Sequence, residues 1–150
     1  MIARLLPSKN QSVNYDSFLK QLANAGFRGD VTCSYGQRTV LATDNSIYQR
    51  VPRAAVFPLD AKDVETLAKL AADPEHRAVV LTPRGGGTGT NGQSLTDGIV
   101  VDPSRHMNSI LEINAEERWV RVQSGVVKDQ LNAALKPYGL FFAPELSTSN

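Results

Sequence analysis

Cysteine, long apolar runs and excess charge of one sign are all scarce in this chain. Cys33 stands alone, so no disulfide can close within the chain and no thiolate zinc or iron–sulfur site can be built from it. No stretch approaches the roughly 20 apolar residues of a membrane span. The opening MIARLLPSKN holds an apolar run too short for a signal peptide, and Pro7, Ser8 and Lys9 interrupt it. The expected compartment is the cytoplasm, with peripheral attachment to a membrane compatible with it. The 16 Lys+Arg and 15 Asp+Glu leave a net charge of only +1. Nucleic-acid modules usually carry a clear basic excess, so that class is disfavoured.

What is present fits an ordinary soluble chain of 150 residues, 41% of them hydrophobic. That length suits about one domain. It suffices to bury roughly two thirds of the surface that the unfolded chain exposes. Glycine is unevenly spread: five of the 11 glycines fall between Gly85 and Gly92.

Apolar spacing predicts a helix over 14–25, on Tyr15, Phe18, Leu19, Leu22 and Ala25, with Gly26 as its stop. Residues 28–50 read as loop-rich with little regular structure. A short strand is expected at Ala54–Phe57. Asp60 then caps a helix whose buried stripe is Val64, Leu67, Ala68 and Ala71, and Asp73-Pro74 ends it. Buried strands are expected at 78–82 and 99–102. A hairpin follows, with arms at 110–113 and 119–123. A last helix presents Val127, Leu131, Leu135 and Tyr138 to the core, and Gly139 stops it. The order is strand, helix, strand, loop, strand, hairpin, helix. That is an α+β fold, a small mixed sheet flanked by helices.

The loop Pro83-Arg84-Gly85-Gly86-Gly87-Thr88-Gly89-Thr90-Asn91-Gly92 carries the chemical signal. Glycines admit positive φ and let a ligand approach the backbone without Cβ interference. Successive N–H groups can then converge on an anion, with Arg84 adding positive charge at the mouth. A phosphate or pyrophosphate is the natural ligand. The ATP-type P-loop is excluded, because it needs a lysine and none lies between Lys69 and Lys128. The dinucleotide spacing GxGxxG is met by Gly87, Gly89 and Gly92. Its pyrophosphate sits on a helix N-terminus, however, and the four residues Gln93 to Thr96 cannot make that helix. Phosphate binding must rest on the loop itself. A ligand-free, flexible glycine hairpin fits poorly between two apolar strands.

The run RGGGTGTNG between a short strand and a DGIVVD strand resembles the FAD-binding domain of the vanillyl-alcohol oxidase/p-cresol methylhydroxylase type. The likeness extends upstream through TDNSIYQRVPRAAVFPLDAKDVETLAKLA. Downstream it includes the hairpin, VQSG, the helix over 126–138 and the segment from Gly139-Leu140 to Pro144-Glu145-Leu146-Ser147. The branch most similar comprises FAD-linked D-2-hydroxy-acid dehydrogenases, acting on D-lactate, glycolate or D-2-hydroxyglutarate. The resemblance implies that this chain is the first subdomain of that fold. It sets a boundary between an N-terminal helical and loop extension (1–41) and the FAD-binding domain (42–150). It also implies a chain truncated before a downstream Gly-Gly turn and the catalytic regions.

By the same resemblance, Arg84, Gly85, Gly86, Gly87, Thr88, Gly89, Thr90, Asn91 and Gly92 would wrap the FAD pyrophosphate. Pro144 and Ser147 would lie along the ribityl chain or flavin ring. Some relatives attach FAD through a loop histidine; Thr88 stands in that place, so non-covalent FAD is expected. An iron–sulfur module, present in some relatives, would belong only to a region beyond Asn150. The implied partners are FAD and a small 2-hydroxy acid reached through regions beyond this chain, without nucleic acid and with the electron acceptor unassigned. Two other readings stay open: a same-fold flavin reductase or oxidase of another substrate class, and a non-catalytic module for a phosphorylated ligand. A Gly87→Val side chain is expected to enter the pyrophosphate position.

Remaining polar residues read as structural. His76 is expected in a solvated or capping role at a helix end, and His106 at the surface in a polar turn. Cys33 is expected to be structural and Trp119 to be a packing residue. Asp102 is expected to cap the turn that follows it. Asp44 and Tyr48 are left out of the site, and no metal site is expected.

Overall fold

The computed structural model describes residues 13–144. Asn14 starts α1 (Tyr15–Asn24) by accepting the Ser17 N–H at 2.9 Å. The fully buried pair Phe18 and Leu22, four apart, forms its inner face. Gly26 at φ +90° turns the chain out of the helix. Next come β1 (Asp30–Thr32) and α2 (Tyr35–Val40). The segment 28–50 is therefore more ordered than its composition suggests. β1 exists because it pairs antiparallel with β2 (Ala54–Phe57), setting Val31 opposite Val56.

β2 is buried at every residue. It also runs parallel to β4 (Ile99–Val101), and β4 runs parallel to β3 (Leu81–Pro83), giving the sheet order β1-β2-β4-β3. Burial on both faces explains why β2 is unbroken Ala-Ala-Val-Phe rather than alternating. On one face Ala54, Val56 and Ile99 meet Phe18, Leu22 and Leu67. On the other, Ala55, Phe57 and Val100 meet Leu41. Helix α1 and Leu41 thus pack on the two faces of the same sheet.

Between β2 and β3 lies α3 (Ala61–Ala71), capped as expected by Asp60, which accepts from the N–H groups of Lys62 and Asp63. Its inner stripe is rotated from the sequence reading. Asp63 and Leu67 are buried, whereas Val64 and Ala68 are exposed. The cause is the Asp63 carboxylate, which accepts from the backbone N–H of Arg28 (3.1 Å) and of Leu59 (2.9 Å). His76 is another correction. It closes the 3-10 turn Pro74–His76 and is only 4% exposed. Its Nε2 lies 3.0 Å from Gln21 Oε1 and its ring meets Phe18 edge-on, so the turn docks on α1.

β3 begins later than predicted, and Val80 is half exposed. The hairpin forms between β5 (Ile110–Asn114) and β6 (Trp119–Val122). Asp102 does cap its turn, accepting the Ser104 N–H at 2.9 Å. The last helix, α4, is shorter than predicted (Lys128–Leu135), followed by a 3-10 turn at Lys136–Tyr138. Leu131 and Leu135 are buried, but Val127 and Tyr138 are exposed because they lie outside the α-helical segment. Gly139 ends it in the left-handed conformation. Cys33 is an exposed free thiol, so it packs in no core. No helix among the described residues is long and apolar enough to cross a membrane.

Candidate functional site

The glycine loop is the connection between two parallel neighbours, β3 and β4. Such crossovers usually contain a helix. This one spans residues 84–98 with no helix, as the spacing of Gln93 to Thr96 requires. Its ends are fixed by the sheet. The Arg84 N–H continues the ladder to Val101 O at 2.9 Å, and the Ile99 N–H bonds Val80 O at 2.9 Å. Gly98 passes so close to Val80 that an added Cβ would lie 2.8 Å from the Val80 Cβ and nearer still to its carbonyl oxygen.

Between these ends lies a run of open backbone donors. Among the described residues, the N–H groups of Gly85, Gly86, Gly87, Thr88, Gly89 and Thr90 meet no protein acceptor. All six residues are exposed or half-buried. Gly87 and Gly92 have φ of +67° and +72°, where L side chains are strained. The Asn91 N–H is the first to be occupied again, by Gln93 Oε1 at 3.1 Å. The side chains of Thr88, Thr90 and Asn91 are exposed and make no hydrogen bond among the described residues. A row of open donors on a loop held at both ends is the arrangement a pyrophosphate needs, and this donor set fits one.

Arg84 does not behave as the sequence reading assumed. Its guanidinium turns back under the loop. Nη2 donates to Thr43 O at 2.8 Å, and Nη1 reaches Leu41 O at 3.3 Å and Ser94 Oγ at 3.4 Å. A Cβ on Gly87 would fall 2.8 Å from Arg84 Cζ. The first effect of Gly87→Val is thus to displace Arg84, which replaces the simpler picture of a side chain entering the ligand's place.

The lead-in 42–50 forms the wall beside the loop, a part the sequence reading left out. An isolated bridge, Thr43 to Gln49, closes it, and Asp44 shapes its turn by accepting the Ser46 N–H at 2.9 Å. The Ser46 side chain foremost, then its N–H, Ser94 and the Arg84 charge hold the Asp44 carboxyl below its ordinary value. The Tyr48 ring lies against Gly92, 3.0 Å from where a Cβ would stand. Asn45 Nδ2 reaches Thr88 O at 3.5 Å. The Asp-Asn-Ser run is itself a turn signal, the one local clue to this wall.

Other predicted site residues are less informative. Pro144 is exposed at the end of the described chain, and Ser147 lies outside the described residues. Trp119 donates to Glu117 Oε2 at 2.6 Å on the hairpin. His106 bonds Asp30 at 2.8 Å. Among the described residues no group of three His, Cys, Asp or Glu could hold a metal ion. A cleft lined by Asn14, Ser17, Glu75 and His76 and a groove lined by Ile113, Trp119, Leu140 and Phe141 contain no loop residue.

A small mixed sheet whose parallel strands are joined by an exposed, helix-free glycine loop defines the class of fold. The chain belongs to the FAD binding domain family, which matches residues 52–150. It is 72% identical over 150 residues to the D-2-hydroxyglutarate dehydrogenase of Pseudomonas putida, covering 100% of this chain and 15% of that protein. Against the D-2-hydroxyglutarate dehydrogenase of Escherichia coli it is 60% identical over 134 residues, covering 89% of this chain and 13% of that protein. The chain thus spans a small part of the length of these relatives. Among solved structures, 4-ethylphenol oxidase from Gulosibacter chungangensis superposes with a TM-score of 0.71 at 20% identity, over 90% of this chain and 27% of that one. Alkyldihydroxyacetonephosphate synthase gives 0.71 at 24%, over 84% and 28%. These two likenesses carry the fold: it is the p-cresol methylhydroxylase-type FAD-binding fold expected from the sequence.

Proposed function

We propose that the chain is the pyrophosphate-holding part of an FAD-dependent oxidoreductase that oxidises a D-2-hydroxy acid, in the first instance D-2-hydroxyglutarate. The observation that carries the FAD site is the run of six N–H groups from Gly85 to Thr90 that meet no acceptor among the described residues. Each charge-assisted bond to phosphate contributes about 1.5–3 kcal/mol. The substrate class is supported by the relatives at 72% and 60% identity. When bound, FAD accepts the hydride removed from the hydroxy acid.

The chain's own residues bind and orient. Gly85 to Thr90 donate to the phosphates, and the hydroxyls of Thr88 and Thr90 and the Asn91 amide are free to add donors. Gly92 lets Tyr48 close the wall. The loop carries no histidine, so FAD is held without a covalent bond to it. The test is spectroscopic. The whole protein, purified, should show flavin absorbance, and acid denaturation should release all of the FAD to the supernatant. Anaerobic D-2-hydroxyglutarate should bleach the flavin. Colourless protein whose melting temperature ignores added FAD would refute the cofactor reading. Bleaching by an unrelated substrate but not by any D-2-hydroxy acid would refute the substrate reading.

A further inference from the structure

Arg84 sits first in the glycine loop, and its position invites the role of phosphate ligand. Its contacts argue otherwise. The fork of the guanidinium is spent on two backbone carbonyls, Leu41 O and Thr43 O, with Ser94 Oγ as a third partner. Leu41 is the C-cap of α2 and Thr43 lies in the lead-in, so neither carbonyl belongs to the loop. The Asp44 carboxyl is held below its ordinary value by the Ser46 side chain foremost, with the Arg84 charge the smallest contribution. Asp44 also shares Ser94 with Arg84, accepting the Ser94 Oγ–H at 3.3 Å. Gly87, at φ +67°, rides directly over the guanidinium. Arginine suits this place because its planar fork spans two acceptors, which a lysine ammonium on a flexible stem does not.

We propose that Arg84 is a positioning residue: it pins the lead-in beneath the loop and fixes the curvature that aims the N–H groups of Gly85 to Thr90, without contacting the phosphates. This rests on the FAD reading above and deepens it. On this account the cradle holds its anion through backbone dipoles, and the Arg84 guanidinium makes no direct contact with it. The lead-in and the loop then move as one body.

The experiment uses the whole protein with Arg84→Ala and Arg84→Lys. Affinity for FAD is measured by flavin fluorescence across a range of salt, and limited proteolysis is run on the FAD-free protein. Losing several charge-assisted bonds should weaken FAD binding about tenfold or more in Arg84→Ala. Arg84→Lys should lie close to Arg84→Ala, because charge alone does not restore the two carbonyl contacts. The salt dependence of FAD binding should be the same in wild type and Arg84→Ala, since no exposed ion pair to phosphate is removed. In the FAD-free protein both variants should be cut faster at 41–48 and in the loop. Near-full rescue by lysine, together with a shallower salt dependence in Arg84→Ala, would mean direct phosphate contact and overturn the proposal. Equal affinity and equal cutting in all three proteins would overturn it as well. Wild type that binds no FAD would overturn the FAD reading instead, while the proteolysis still tests whether Arg84 ties the two segments.

Discussion

Two connections leave this sheet on its way to the next element, and they treat their backbone donors in opposite ways. The connection from β2 runs into the N-terminus of α3, where a nucleotide fold would commonly seat a phosphate. Here the chain's own carboxylates occupy that position. Asp60 takes the N–H groups of Lys62 and Asp63, and Asp63 takes those of Leu59 and Arg28. Arg28 then balances Asp60 at 2.6 Å. The connection from β3 to β4 has no helix, and its donors from Gly85 to Thr90 are left open. One connection thus has its donors taken by aspartates, while the other leaves a glycine run of donors open among the described residues, which is where we propose the phosphates bind. The GxGxxG spacing alone would have placed them on a helix that this chain lacks.

The strongest way to break the contrast is Gly87→Val. The substitution forces a β-branched residue to φ +67° and drives it onto the Arg84 guanidinium. FAD retention should be lost, while the FAD-free protein still melts cooperatively within a few degrees of wild type. Flavin absorbance after purification, with a thermal melt, checks it. Unchanged flavin content would remove the loop from the site.

Asp63→Ala attacks the closed connection. It strips two part-buried backbone donors of their acceptor and should cost about 1–3 kcal/mol of folding stability. The protein that remains folded should still bind FAD one to one. Denaturant unfolding and flavin titration separate the two effects. Gly98→Ala sharpens the comparison at the loop's own base. Its Cβ would collide with the backbone of Val80, so β3 and β4 must shift, at about 1–2 kcal/mol. Here, unlike at Asp63, FAD affinity should fall along with stability.

The smallest effect is in acid. Arg28 foremost lowers the Asp60 pKa, His106 foremost lowers that of Asp30, and Ser46 foremost lowers that of Asp44. Each of these carboxylates is lowered in the folded state. The stability each contributes is therefore present above its unfolded value of 3.8 and is lost as pH falls through the lower folded value. Melting temperature should hold steady from neutral pH into the mildly acid range and decline only below about pH 4. Asp60→Asn should flatten part of that decline.

Local rules carried much of this structure. The Asp60 cap, the Asp102 turn, the apolar runs of β2 and β4 and the helix-free loop are all set by neighbours in sequence. So is Gly139, whose left-handed conformation ends the last turn. What escaped reading depends on distant partners. β1 is three residues long and forms only against β2. α2 is six residues long, too short for periodicity to show and below the length at which an isolated helix is stable. Val64 looked like the buried residue of α3 because nothing nearby announces that Asp63 serves donors 35 residues away at Arg28. His76 looked solvated because its partner, Gln21, is 55 residues distant. The loop was legible as a helix-free glycine run held between two strands. The contacts of Arg84 were not legible, because its acceptors are main-chain carbonyls at Leu41 and Thr43, which any sequence supplies.

The central claim is that the open donors of the loop, and not the α3 N-terminus, hold the phosphates. Amide hydrogen exchange of the whole protein with and without FAD tests it most directly. The account predicts fast exchange from Gly85 to Thr90 without FAD and marked slowing there with it. Lys62 and Asp63, already bonded to Asp60, should be protected equally in both states. Exchange in the loop unaffected by saturating FAD, with new protection appearing at the start of α3, would contradict it.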